Sequence, residues 1–146
     1  AAVVTQNIDG LHQAAGSKTV YELHGSIRRA HCTDCGAHYA LDYIMEHTPI
    51  PYCECGGMVR PDVVLYEESL DNDTIAGSVA AIRAADTLII GGTSLIVYPA
   101  AGLIDYFRGS HLVLINKSET SADCHAELVI REPIGATLHA ALPEMH

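Results

Sequence analysis

Apolar residues fall in short blocks separated by polar turns, and the spacing inside each block predicts an element. Val3-Val4-Thr5 is β-branched and apolar, the pattern of a strand end, and it empties into the polar loop Gln6-Asn7-Ile8-Asp9-Gly10. A short helix over 11–15 closes at Gly16, and residues 19–23 alternate as a strand that ends at His24-Gly25. Val63-Val64-Leu65-Tyr66 reads as a compact apolar strand. Ile75, Val79 and Ile82 lie on one face of a helix over 74–85, with Asp73 or Asn72 expected to cap it. Residues 87–90 form a continuous apolar run, as in a parallel strand covered on both faces, and break at Gly91-Gly92-Thr93-Ser94. A helix over 99–107, a strand over 111–115 running into Asn116-Lys117-Ser118, a strand over 127–130 and a helix over 136–142 complete the series. Strands alternating with helices predict an α/β fold built on an open, mostly parallel sheet.

Residues 27–60 break that rhythm. They hold four of the five cysteines and two of the six prolines, with little long-range apolar periodicity. The segment is therefore expected to be an inserted module, dividing the chain into 27–60 and a main domain of 1–26 with 61–146. Cys32-x-x-Cys35 and Cys53-x-Cys55 give two thiol pairs, the second one residue tighter than the usual spacing. Four thiolates suit tetrahedral zinc, and such a site is structural because no coordination position stays open. A disulfide pair or free thiols are the competing readings; a redox Cys-x-x-Cys would leave the second pair unexplained. Cys124 is expected to be an ordinary loop or core residue.

Composition narrows the function. At 146 residues the chain has one domain's worth of length, and 49% apolar with 18% charged residues argues against disorder. The formal charge of −10 disfavours nucleic acid as a partner and favours a cationic one, such as a lysine-rich peptide. Neither a membrane-spanning run nor a secretory leader is visible, so no membrane partner and a cytoplasmic location are expected.

The motif Thr5-Gln6-Asn7-Ile8-Asp9-Gly10-Leu11-His12 resembles the nicotinamide-side loop of the sirtuins. Glu22-Leu23-His24-Gly25, the two cysteine pairs, Arg60-Pro61-Asp62-Val63-Val64, Gly92-Thr93-Ser94-Leu95 and Ile115-Asn116-Lys117-Ser118 resemble further sirtuin segments, in the family's order. The resemblance implies a Rossmann-like NAD domain carrying a small zinc ribbon, with NAD as co-substrate and one structural zinc. It implies NAD-dependent deacylation of protein lysine, in which the acyl group passes to ADP-ribose and nicotinamide leaves. By the same resemblance His24 is the catalytic base, a role an imidazole fits because it titrates near neutrality. Asn7 is expected to hold the ribose and an ordered water, Asp9 the nicotinamide amide and Gln6 the ribose, with Ile8 lining the nicotinamide pocket. Gly92, Thr93 and Ser94 are expected at ribose or phosphate oxygens, Asn116, Lys117 and Ser118 near adenosine. Val64, Leu65 and Tyr66 match the strand that receives an acyl-lysine peptide by strand addition.

Two departures from the sirtuin pattern stand out. Glu67-Glu68 occupies the place where sirtuins commonly have Gly-Glu, and Leu65 is smaller than the aromatic often found there. The first strand and the Gly-Ala-Gly-Ile-Ser phosphate loop are absent, so a truncated chain is expected, impaired in NAD binding and turnover when alone. Mono-ADP-ribosyl transfer and a non-catalytic, zinc-stapled peptide-binding fragment are the alternatives; a zinc-ribbon nucleic-acid binder is the weakest.

Overall fold

The computed structural model describes residues 1–142, which fall into two compact units that divide between Gly77 and Ser78. The first unit begins with β1 (Val3–Thr5), α1 (Leu11–Ala14) and β2 (Val20–Glu22). β1 and β2 pair in parallel, Val3 opposite Val20 and Thr5 opposite Glu22. β3 (Gly25–Cys32), β4 (His38–Ala40), α2 (Leu41–Glu46) and β5 (Val59–Val63) follow, and β4-β3-β5 form an antiparallel sheet. Periodicity gave no sign of β3 because small residues carry its inward face, nor of β4, which is only three residues long. Ala30 and Cys32 are buried and join Cys53 and Val59 in a compact core, against which Tyr39, Tyr43 and Ile44 pack.

The boundary between the units falls within α3 (Asn72–Ala84). Its cap is Asp71, not Asp73 or Asn72: one Asp71 carboxylate oxygen accepts from the Thr74 amide at 2.7 Å and from the Thr74 hydroxyl at 2.8 Å. Three residues separate acceptor and amide, the reach an N-cap side chain needs. In the second unit β6 (Thr87–Gly91), β7 (His111–Ile115) and β8 (Leu128–Ile130) run parallel in the order β6-β7-β8. Leu112, Leu114 and Ile115 are buried, as a parallel strand's continuous apolar run requires. α4 spans Ile134–Ala141. Within the helix expected over 99–107, residues 100–106 form a 3-10 helix with i→i+3 bonds such as Gly102 N–H to the Pro99 carbonyl at 3.1 Å. Gly102 inside the segment lowers its α-helical preference. No helix among the described residues is long and apolar enough to cross a membrane. The parallel strands and the crossovers between them make the fold α/β.

One expected strand is shorter than its apolar pattern. β5 ends at Val63, and Val64-Leu65-Tyr66 lies beyond it. The last rung of the ladder is Val64 N–H to the His24 carbonyl at 3.0 Å, after which the chain turns, with Glu68 N–H bonded to the Leu65 carbonyl. Glu67 makes this turn at φ 73, a left-handed conformation that glycine adopts freely. Holding a side chain there costs about 1–2 kcal/mol. Part of the gain from removing it is offset by the greater freedom of glycine in the unfolded chain, about 0.4–1 kcal/mol. Glu67→Gly is therefore expected to raise stability by up to about 1 kcal/mol, read as a higher denaturant midpoint at unchanged slope. A lowered midpoint would show that the exposed Glu67 side chain makes a compensating contact.

Candidate functional site: a histidine-anchored loop, a cavity at the strand ends and a four-cysteine cluster

Three hydrogen bonds fasten the loop after β1 to the segment around β3. The His24 imidazole Nδ1 lies 3.2 Å from the Gln6 carbonyl oxygen. Ile27 N–H donates to the Ile8 carbonyl at 3.0 Å, and Arg28 Nε donates to the Asp9 carbonyl at 3.1 Å. A carbonyl oxygen can only accept, so the His24 bond places the ring proton on Nδ1. In the neutral ring Nε2 then carries the lone pair, and among the described residues it has no hydrogen-bond partner. A half-buried imidazole held by one nitrogen with the other bare is equipped to take a proton.

Gly25 lets His24 come this close to β5. It sits at φ 77, and a Cβ at this position would lie 1.8 Å from the Asp62 carbonyl oxygen, so neither its backbone angle nor its space admits a side chain. Within the loop, Asn7 is exposed and its backbone N–H bonds to the Thr5 hydroxyl at 3.1 Å. Asp9 uses one carboxylate oxygen to accept from Leu11 N–H at 3.0 Å, which fixes the start of α1. His24 thus meets the backbone of Gln6 directly and that of Val64 through the last ladder rung.

Beyond Val64, Leu65 and Tyr66 are exposed, Tyr66 completely. Arg60 braces this segment. Its guanidinium grips the Glu68 carboxylate at 2.8 and 3.1 Å and also donates to the Val63 carbonyl at 2.9 Å. The same carboxylate accepts from Leu65 N–H at 2.9 Å. The arginine first, then the Leu65 amide, hold the Glu68 carboxyl well below the usual carboxylate range, at about 2.

In the second unit the residues flagged at two separate turns meet. Gly92, Thr93 and Ser94 after β6 and Asn116, Lys117 and Ser118 after β7 line one cavity of about 280 Å³. It lies past the C-terminal ends of parallel strands, where open α/β sheets bind ligands. Arg131 fastens the loop after β7 by donating to the Asn116 and Ser118 carbonyls at 3.1 and 2.9 Å. Glu132 and Ile134 also line the cavity and were not anticipated. Their signal was available: they follow β8 directly, at the same end of the sheet.

The four cysteines of the two pairs cluster, with every sulfur within 4.8 Å of the others. Cys32 and Cys55 sulfurs are 3.5 Å apart, as are those of Cys35 and Cys53. Zinc–sulfur bonds of about 2.3 Å in a tetrahedron need sulfurs about 3.8 Å apart, so the donor set fits that ion. The Asp34 and Gly57 amides point at the Cys32 and Cys55 sulfurs at 3.4 and 3.5 Å, as they would to stabilise thiolates. Tyr39 donates its hydroxyl to the Cys53 sulfur at 3.0 Å, and chiefly that bond holds the Cys53 thiol below its ordinary value, at about 6. The Gly57 amide draws Cys55 the same way, but its three thiol neighbours outweigh it and push Cys55 up to about 12. Cys124 is exposed and stands outside the cluster, its sulfur 3.2 Å from His125 Nδ1.

Comparison with known proteins joins these features. The Sir2 family model matches residues 1–99. The NAD-dependent protein deacetylase of Clostridium acetobutylicum is 62% identical over 143 residues, covering 97% of this chain and 58% of that protein. That of Clostridium perfringens is 63% identical over 139 residues, covering 94% of this chain and 57% of its own length. The chain therefore spans somewhat more than half the length of these curated relatives. A solved complex of Sir2 with a p53 peptide and NAD+ superposes with a TM-score of 0.88 at 37% identity, over 97% of this chain and 61% of that one. Sir2 bound to an acetylated peptide superposes equally well, at 35% identity over 97% of this chain and 62% of that one. The family match, the shared fold and the ordered loops, histidine and thiol pairs agree: this chain belongs to the Sir2 family.

Proposed function

We propose that the protein to which this chain belongs is an NAD-dependent protein lysine deacylase, moving an acyl group from lysine to ADP-ribose with release of nicotinamide. The observation that carries the reading is the His24 imidazole, anchored through Nδ1 to the loop that holds Asn7 and Asp9 and bare at Nε2. In this role Nε2 takes the proton of a ribose hydroxyl, which then attacks the imidate formed when the acyl oxygen displaces nicotinamide. Asn7 and Gln6 are assigned to the ribose, Asp9 to the nicotinamide amide through the carboxylate oxygen that Leu11 leaves free, and Ile8 to the nicotinamide wall. Gly92, Thr93 and Ser94 are assigned to ribose or phosphate oxygens and Asn116, Lys117 and Ser118 to the adenosine, a reading their shared cavity supports.

The acyl-lysine peptide is assigned to Val64, Leu65 and Tyr66. The exposure of Leu65 and Tyr66 beyond the end of β5 supports this assignment, and the Arg60–Glu68 pair holds the turn that follows in place. Residues 27–60 act as the zinc module, and 1–26 with 61–146 form the NAD-binding part. Cys32, Cys35, Cys53 and Cys55 would hold one zinc, whose contribution is to staple the module. The site of action is the cytoplasm, where such thiols stay reduced and available to metal.

The test uses the full-length protein with NAD and an acetyl-lysine peptide. Deacetylated peptide, nicotinamide and O-acetyl-ADP-ribose are expected in equal amounts. Label from NAD appearing on protein instead would identify ADP-ribosyl transfer. Peptide binding that is indifferent to NAD, with no product, would leave only a binding module.

A further inference from the structure

Of the three bonds that fasten the Gln6–Asp9 loop, one comes from a side chain other than His24. Arg28 lies on β3, four residues past the histidine, and reaches back so that Nε meets the Asp9 carbonyl at 3.1 Å. Gly10 is shaped to this contact. It takes φ 70, and a Cβ there would lie 2.4 Å from Arg28 Nε and 2.6 Å from Cδ, so the arginine stem lies directly over it. Asp9 is held at both ends, its carbonyl by Arg28 and one carboxylate oxygen by the Leu11 amide. The direction in which its other carboxylate oxygen points is set by these two restraints together.

We propose that Arg28 is a positioning residue for the nicotinamide end of NAD: it holds the Asn7–Asp9 loop in register with His24 without touching the reacting atoms. The inference rests on the deacylase reading above. Nothing in the spacing of the sirtuin-like motifs singles out position 28, and the bond spans 19 residues of sequence. The effect falls on ground-state binding, because the loop must already be in place when the cofactor arrives. The first rung, from His24 itself, stays intact when Arg28 changes, so the chemistry keeps its base.

The experiment compares two variants in the full-length protein. Arg28→Met keeps the stem that covers Gly10 and removes the donor. Arg28→Gln keeps an N–H donor at the same depth along the side chain and removes the charge. Arg28→Met is expected to raise KM for NAD about tenfold and to weaken inhibition by nicotinamide to a similar degree, with kcat within about twofold. Arg28→Gln is expected to return both constants to within about threefold of the parent. Wild-type KM in Arg28→Met, a fall in kcat at constant KM, or an Arg28→Gln variant as impaired as Arg28→Met each overturns the proposal while leaving the deacylase reading intact. A parent protein that turns over no acetyl-lysine peptide with NAD overturns both.

Discussion

His24→Ala is expected to cut deacylation by about 10²–10⁴-fold while nicotinamide exchange into NAD continues. The split follows from the order of events in the proposed reaction. Nicotinamide leaves when the acyl oxygen attacks, a step that needs no base, and the imidazole acts only afterwards on the ribose hydroxyl. An enzyme without the base therefore still forms and reverses the first intermediate, and labelled nicotinamide still enters NAD. The fold is expected to survive, because the rungs on either side of His24, Leu23 N–H to the Thr5 carbonyl and Val64 N–H to the His24 carbonyl, are backbone bonds. His24→Asn sharpens the test, since its amide can donate to the Gln6 carbonyl as Nδ1 does but cannot accept a proton at neutral pH. Deacylation at the parental rate by the Asn variant would assign the imidazole to loop support alone. Loss of exchange together with deacylation would move its role to the first step.

Most strands of the two parallel sheets were legible as compact runs of branched or aliphatic residues ended by a polar turn, Val3-Val4-Thr5 and Thr87-Leu88-Ile89-Ile90 among them, and β2 was legible by alternation over 19–23. β3 was not, although it is the longest strand among the described residues. Its buried face is Ser26, Ala30 and Cys32, too small or too polar to give a hydrophobic beat. Val64-Leu65-Tyr66 misled in the opposite sense: the residues favour a strand, but the partner strand starts at Gly25, so only Val64 finds a rung. Propensity described the residues, and pairing decided the structure.

The same division runs through the loops of the candidate site. Gln6, Asn7, Ile8 and Asp9 stood out in the sequence as a set at a strand end, and so did Gly92-Thr93-Ser94 and Asn116-Lys117-Ser118. What ties each set into a site was invisible there. His24 to Gln6 and Arg28 to Asp9 are bonds across 18 and 19 residues, and Arg131 reaches back 15 and 13 residues to Asn116 and Ser118. No local pattern announces such a contact, since a side chain that supports another's backbone needs only the right length and a donor. The cysteines are the exception, because spacing alone limits where two thiols on one turn can be, and the cluster formed as their spacing implied.

Cys32→Ala is expected to release the metal and unfold the sheet β4-β3-β5, a loss above about 4 kcal/mol for that region. Cys32 occupies two roles at once. Its sulfur lies 3.5 Å from that of Cys55 and accepts from the Asp34 amide, and its side chain is buried in the small core with Ala30, Cys53 and Val59. That core is too slight to hold an antiparallel sheet without a staple, the usual condition of metal-dependent modules. Cys35→Ala separates the roles, because Cys35 is exposed and removes a ligand with little packing. Metal analysis is expected to find about one zinc per chain in the parent and little in either variant. Amide exchange is expected to rise through β3–β5 in both variants, whereas β6-β7-β8, which contains no cysteine, keeps its protection. A metal-free parent with slow exchange across β3–β5 would return the four thiols to the status of core and surface residues. Variants that lose zinc yet keep that protection would show that the sheet holds without its staple.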